Sequence, residues 1–158
     1  MKLHEKLSQI QIKFKSKKSR FNNFGKYNFR SAEDILEALK PLNKEYGIYF
    51  TVSEEVVDTF SDKLPPMIKS TATISDGVDA IHADAIVGVD LNQKGMQTPQ
   101  QFGSASSYGK KYALGNLLLI DDTADADATN THGNDRFANK GPAATPKGAS
   151  VGASDLGF

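Results

Sequence analysis

The chain has no cysteine and no tryptophan among its 158 residues. Without thiols it can build neither a disulfide framework nor a thiolate metal site, which suits a reducing cytosol. It also lacks any apolar run near the ~20 residues that cross a bilayer, so a soluble chain with no membrane partner is expected. Its N-terminus carries lysines but no apolar stretch followed by a small-residue cleavage site, and no secretory signal is expected. His4, His82 and His132 are too scattered for a zinc site. No Ser/His/Asp or Cys/His set stands out, and no internal repeat. The length suits one domain with a real core and is too short for two ordinary ones.

Net charge is missing as well, with 19 basic and 19 acidic residues giving +0. That balance hides an asymmetry. Lys2, Lys6, Lys13, Lys15, Lys17, Lys18, Arg20, Lys26 and Arg30 face only Glu5 in residues 1–30. Over 31–58 the sign reverses, with Glu33, Asp34, Glu37, Glu45, Glu54, Glu55 and Asp58 against Lys40 and Lys44. A concentrated basic patch attracts a polyanion even in a neutral chain.

The periodicities predict an α+β domain over residues 1–122, a mainly antiparallel β-meander packed with helices, and a disordered C-terminal tail over 123–158. Leu3, Leu7, Ile10 and Phe14 recur at helical spacing and make one apolar stripe, which packs either on the chain's own core or on a neighbouring subunit. Residues 15–30 read as a loop or irregular hairpin. Ser31 can cap a helix whose first turn holds Glu33 and Asp34 and whose buried stripe is Ile35, Leu36, Leu39 and Leu42. Pro41 is expected to kink or end its first segment, and Gly47 to terminate it. Period-two alternation then marks three strands, around Ile48–Val52, Ile68–Ile74 and Ile81–Val89, with Asp76-Gly77 as the turn between the last two. Thr98 as N-cap, Pro99 at the first position and Gln101 as capping-box partner predict a final helix. Its inward residues are expected to be Phe102, Ala105, Tyr112, Leu114 and Leu118. Gly103, Ser106, Ser107 and Gly109 keep one side of it thin enough for close approach. After Asp122, the Ala, Gly, Asp, Asn, Pro and Thr content is too polar to offset ordering entropy.

Gly103 to Lys111 looks like a phosphate loop but fails as one. Five residues separate the glycines where four are needed, and Lys111 stands where a Ser or Thr should hold the metal. Asp121, Asp122, Asp125 and Asp127 suggest a metal site, yet as a calcium loop the series has Ala126 and His132 where Gly and Glu belong. These aspartates are therefore read as helix end and solvated tail, with no metal and no cofactor. The block Lys17-Lys18-Ser19-Arg20-Phe21-Asn22-Asn23-Phe24-Gly25-Lys26-Tyr27-Asn28-Phe29-Arg30 mixes cations with rings, the combination that sequence-independent single-strand binders use. The bland reading puts its phenylalanines in the core and its lysines on a solvated face. Lys110 and Lys111 point ~100° apart on a helix, so one would face a strand and the other a flank or a neighbouring subunit. Lys69, Thr71 and Thr73 share the sheet face opposite Ile68 and Ile74.

Two blocks in the same order, Phe24-Gly25-Lys26-Tyr27-Asn28-Phe29-Arg30-Ser31-Ala32-Glu33-Asp34 and the run from Gly103 to Asp122, closely resemble the ERF (essential recombination function) family of bacteriophage single-strand annealing proteins. The likeness covers most of residues 15–125. It implies an annealing-recombinase-like core and an ATP-independent, non-enzymatic protein of the bacterial cytoplasm. Such a protein binds single-stranded DNA, assembles as a homo-oligomeric ring or filament and pairs complementary strands in phage recombination. A phage exonuclease or a single-strand-binding protein are the further partners it admits. On this reading Arg20, Lys26, Tyr27, Arg30, Lys69, Tyr108, Lys110 and Lys111 contact DNA, while Leu3, Leu7, Ile10 and Phe14 form the subunit contact. The chain is short for the family, with only a tail after the core, which leaves a second DNA-binding or partner-binding domain open. The competing readings are a metal-dependent nuclease or repair enzyme using the aspartates, and a protein that protects single strands without annealing them.

Overall fold

In the segment Ile68-Lys69-Ser70-Thr71-Ala72-Thr73-Ile74, every second side chain is buried, as a strand with one covered face requires. It forms the middle of a three-stranded antiparallel sheet in a computed structural model describing residues 1–15, 18, 20–23, 27–59 and 61–120, with Tyr27 and Asn28 by backbone alone. In chain order the elements are α1 (Leu3–Lys13), β1 (Arg20–Asn22), β2 (Tyr27–Phe29), α2 (Ala32–Tyr46), β3 (Tyr49–Val57), β4 (Met67–Ser75), β5 (Ala80–Gly88) and α3 (Thr98–Leu118). The fold is α+β. β1 and β2 make a small hairpin, and β3-β4-β5 a meander with β4 in the middle. The chain divides after Asp122 into Met1–Asp122 and Thr123–Phe158. The expected tail and the aspartates from Asp121 onward lie outside the described residues.

Helix α2 starts as its sequence predicts. The Ser31 hydroxyl accepts from Asp34 N–H at 3.2 Å, and the Asp34 carboxylate accepts from Ser31 N–H at 2.8 Å. Gly47 closes the helix at φ 59°, in the left-handed region where a Cβ is penalised. Of the two effects expected of Pro41, the ending of the helix does not occur, and α2 continues to Tyr46. Pro41 and Glu37 both lie on the exposed side, where water can reach the carbonyl that proline leaves without a donor, and Leu39 is buried just before it. The Asp76-Gly77 turn forms as predicted. Asp76 Oδ1 accepts from Val78 N–H and Asp79 N–H at 3.1 and 2.9 Å, and Gly77 sits at φ 91°.

Leu3, Leu7, Ile10 and Phe14 all lie in the main core with Ile35, Leu39, Ile48, Ala72, Ile74, Ala113, Leu114, Leu117 and Leu118. Of the two placements that the spacing allows, own core or neighbouring subunit, the stripe takes the first within this chain. The stripe packs on the chain's own helices and sheet, so little side-chain surface is left for a neighbour. A smaller cluster, Ile68, Val89 and Ala105, continues beneath the start of α3.

That helix begins one residue earlier than its sequence suggests. Gln97 is the N-cap, and its N–H donates to Gln100 Oε1 at 2.9 Å. Gln101 is thereby freed from capping. Its buried amide donates to the Leu91 carbonyl at 3.1 Å and tethers the loop before the helix. Ala105, Gly109 and Ala113 turn one small-residue stripe toward the sheet, all buried. Glu54 at the sheet edge accepts from Ser70 Oγ at 3.1 Å and Ser106 Oγ at 2.7 Å, fastening β3, β4 and α3 together.

A Cβ placed on Gly109 would stand 2.3 Å from Ser70 Oγ and 3.3 Å from Ser70 Cβ, whereas at Gly103 and Gly115 it would meet nothing within 4 Å. Ser70 is fully buried and its hydroxyl is held by Glu54, so rotating it away strands a polar group. Gly109→Ala is therefore expected to lower stability by about 1–3 kcal/mol. Gly103→Ala and Gly115→Ala should each raise it by up to ~1 kcal/mol, because alanine is the better helix former. Urea unfolding midpoints of the three variants test this. Equal signs at all three positions would contradict the close approach.

Candidate nucleic-acid interface

Arg20 on β1 reaches across to the first turn of α2. Its Nε donates to Asp34 Oδ2 at 2.9 Å and its Nη2 to Oδ1 at 3.2 Å, a bidentate pair. Since Arg20 pairs in register with Phe29, the clamp fixes the path of Phe29–Ser31 between β2 and α2. The Arg20 guanidinium, aided by the Ser31 N–H, holds the Asp34 carboxyl down at about 2. Although half-exposed, Arg20 thus has its charge engaged within the protein.

Beyond the clamp, Phe29, Arg30, Ser31, Ala32 and Glu33 meet Ser107, Tyr108 and Lys111 of α3 around a pocket of about 120 Å³. Arg30 is 7% exposed and Lys111 half-buried. No carboxylate among the described residues forms an ion pair with Lys110 or Lys111. The pocket is smaller than the ~300–1,000 Å³ of sites that enclose a small ligand, so it suits a group offered from outside. The larger hollow, about 560 Å³ between residues 62–66 and 88–92, holds Asp62 and Asp90 against Lys63 alone and is poorly suited to a polyanion.

Of the expected DNA-contacting residues, Arg30, Tyr108 and Lys111 are brought together here. Lys110 does not line the pocket, as its different direction on α3 requires. Lys26 lies outside the described residues, as do Lys17 and Phe24, and only the backbone of Tyr27 is described. Lys69 is elsewhere. It stands on the sheet face turned away from the helices, 3.6 Å from Glu55 and 3.5 Å from Asp84, with Asp84 also accepting from Thr71 Oγ1 at 2.6 Å. The Thr71 hydroxyl and then Lys69 pull the Asp84 carboxyl below its usual range. Lys69 is thus matched by two carboxylates rather than offered to an anion.

Of the rings, Phe21 is exposed and Phe29 lines the pocket. Tyr112 is the main departure. Expected inside, it is 48% exposed, its ring centroid 6.0 Å from that of Tyr108. The inward places go to Ala113, Leu114 and Leu117 instead. The i, i+4 spacing of the two tyrosines is the available signal. Among the described residues no three His, Asp or Glu side chains converge as metal ligands. No described helix is long and apolar enough to cross a membrane.

The Arg20–Asp34 clamp has a pH signature. The folded-state value of Asp34 lies below its ordinary 3.8, so the unfolded chain takes up this proton first as pH falls. The clamp's contribution is complete above about pH 4 and is lost as pH drops through about 2. Asp34→Asn should flatten the acid limb of stability in that window. In a carboxyl NMR titration, Arg20→Ala should move the Asp34 midpoint upward. An unmoved midpoint would show that the pair does not form in solution.

The ERF superfamily model matches residues 3–150. The essential recombination function protein of Salmonella phage P22 is 44% identical over 124 residues, which cover 78% of this chain and 58% of that protein. The chain thus spans less than two thirds of the relative's length. No solved structure matches it. With a family match that takes in both pocket-forming segments and nearly the whole chain, the protein belongs to the ERF superfamily.

Proposed function

We propose that this protein binds single-stranded DNA by its backbone and anneals complementary strands without nucleotide hydrolysis, as an oligomer in phage homologous recombination. The observation that carries this reading is the meeting of Phe29–Glu33 with Ser107, Tyr108 and Lys111. Two stretches more than seventy residues apart combine a buried arginine, a lysine and an exposed ring at one place. Cations beside rings are what a sequence-tolerant single-strand binder needs. The P22 relative is named for recombination, and the similarity to it supports the same process here.

In this reading Arg30 and Lys111 hold phosphates, Lys110 serves the flank of the strand, and Lys26 and Tyr27 add contacts to the same strand. Arg20 acts through Asp34 as a positioning residue, and Lys69 is left out. Residues 1–122 carry binding, annealing and assembly, and 123–158 serve as a tail. Lining up copies raises affinity for a long strand because each adds a local contact. The assembly surface is to be sought among exposed residues, not in the buried Leu3/Leu7/Ile10/Phe14 stripe. The protein works in the bacterial cytoplasm on strands that an exonuclease exposes or a single-strand-binding protein covers.

Pairing of complementary oligonucleotides should accelerate in the presence of the protein with no nucleotide added. Lys111→Ala should weaken binding to all sequences alike and flatten the log affinity against log salt slope by ~0.7; adding Lys110→Ala should bring the total to at most ~1.4. Binding without accelerated pairing would favour a protective role, and magnesium-dependent cleavage a nuclease. A slope unchanged in a folded double variant would remove both lysines from the site.

A further inference from the structure

Tyr108 and Tyr112 keep 52% and 48% of their surfaces in solvent, with ring centroids 6.0 Å apart and planes tilted by 39°. They lie one helical turn apart on the outside of α3, and Tyr108 stands between Tyr112 and Lys111 around the helix axis. Tyr108 also lines the pocket shared by Arg30 and Lys111. The exposed rings therefore continue outward from the pocket cations along one helix. Adjacent exposed rings rimmed by polar groups are a surface on which a flat partner can be held. Lys111 beside it suits an occupant that is flat and apolar on its faces but anionic along its edge.

We infer that Tyr108 and Tyr112 form a stacking step for unpaired bases of a strand whose phosphates lie along Arg30 and Lys111, an inference that rests on the single-strand reading above. A nucleobase offers such a face only when it is not already stacked in a duplex, so the step favours single strands. Stacking uses the face of the base and leaves its Watson–Crick edge open, as pairing with an incoming strand requires. Tyr112 thereby becomes a binding residue beside the lysines, with a different contribution: base contact in place of charge.

The test uses the full chain and two end-labelled probes of equal length, an oligothymidylate and the same backbone with abasic sites. Tyr112→Ala should weaken oligothymidylate binding by roughly five- to a hundredfold while leaving the salt slope unchanged, and should barely alter binding to the abasic probe. Tyr112→Phe should retain wild-type affinity. Since the chain has no Trp and five Tyr, tyrosine emission should fall on binding oligothymidylate, and fall less in Tyr112→Ala. Equal losses on both probes, no loss on either, or a Phe variant as weak as the Ala variant would each overturn the inference. A drop in oligomer mass accompanying the lost affinity would overturn it too, by assigning the rings to a neighbouring copy. Failure of the wild-type chain to bind oligothymidylate would instead overturn the functional reading beneath it.

Discussion

The distance between α3 and the sheet is the constraint on which the rest of the molecule depends. Ala105, Gly109 and Ala113 face a strand whose own inward residues include Ser70 and Ala72, so the helix backbone settles close to the sheet. Close settling lets Leu114, Leu117 and Leu118 reach the stripe of α1 and the buried face of α2 in one continuous core. It also leaves a flank of α3 open beside the stripe, with Tyr108 and Tyr112 exposed there. A bulkier stripe would lift the helix and separate Ser107, Tyr108 and Lys111 from Phe29–Glu33. The Glu54 carboxylate, bonded to Ser70 and Ser106, resists sliding of α3 along the sheet at the same point.

The charge pattern gains meaning once partners are assigned. Two of the cations of the first thirty residues are engaged within the fold: Arg20 on Asp34, and Lys13 on Glu45 at 3.0 Å with the Tyr46 ring beneath it at 5.3 Å. Exposed pairs of this type are worth only ~0–1 kcal/mol each; their larger consequence is to withdraw those cations from competition for an anion. Lys69 is withdrawn in the same way by Glu55 and Asp84. Lys110 and Lys111 have no such carboxylate among the described residues. A chain of zero net charge can thus still present a local positive field, and short-range screening at physiological salt makes the local field the relevant one.

What is legible in the sequence has a strong local cause. The Ser31 cap, the Gly47 terminator, the three alternating strands and the Asp76-Gly77 turn all depend on residues within a few positions of one another, and all form as expected. Where expectation and structure part, distant partners decide. The Leu3–Phe14 stripe carries the same spacing whether it meets its own core or another chain, and only the packing of α1 against α3 settles which. Pro41 reads as a break because its penalty is local, while the burial of Leu39 that holds α2 on the core past it is not. Tyr112 reads as an inward residue because apolar residues flank it nearly all round α3, a helix with contacts on two sides and no single clean stripe. Of the candidate site, the two blocks are legible as blocks, but nothing in either says that Arg30 and Lys111 share a pocket.

For the annealing function proposed above, the arrangement also bears on how strands could pair without fuel. Duplex formation is downhill, since stacking contributes ~1.4 kcal/mol per base-pair step, and what slows it is bringing two flexible strands together in register. A surface that holds phosphates and supports base faces removes much of that cost without drawing on a nucleotide. Its grip must nevertheless be weak at each step, because a strand held too firmly could not slide to find its match or leave as duplex. In the row of copies proposed above, a pocket with two cations and the half-exposed Tyr108 and Tyr112 at and beside it is suited to that balance. In that proposed arrangement each contact is modest and reversible, while the row as a whole retains the strand.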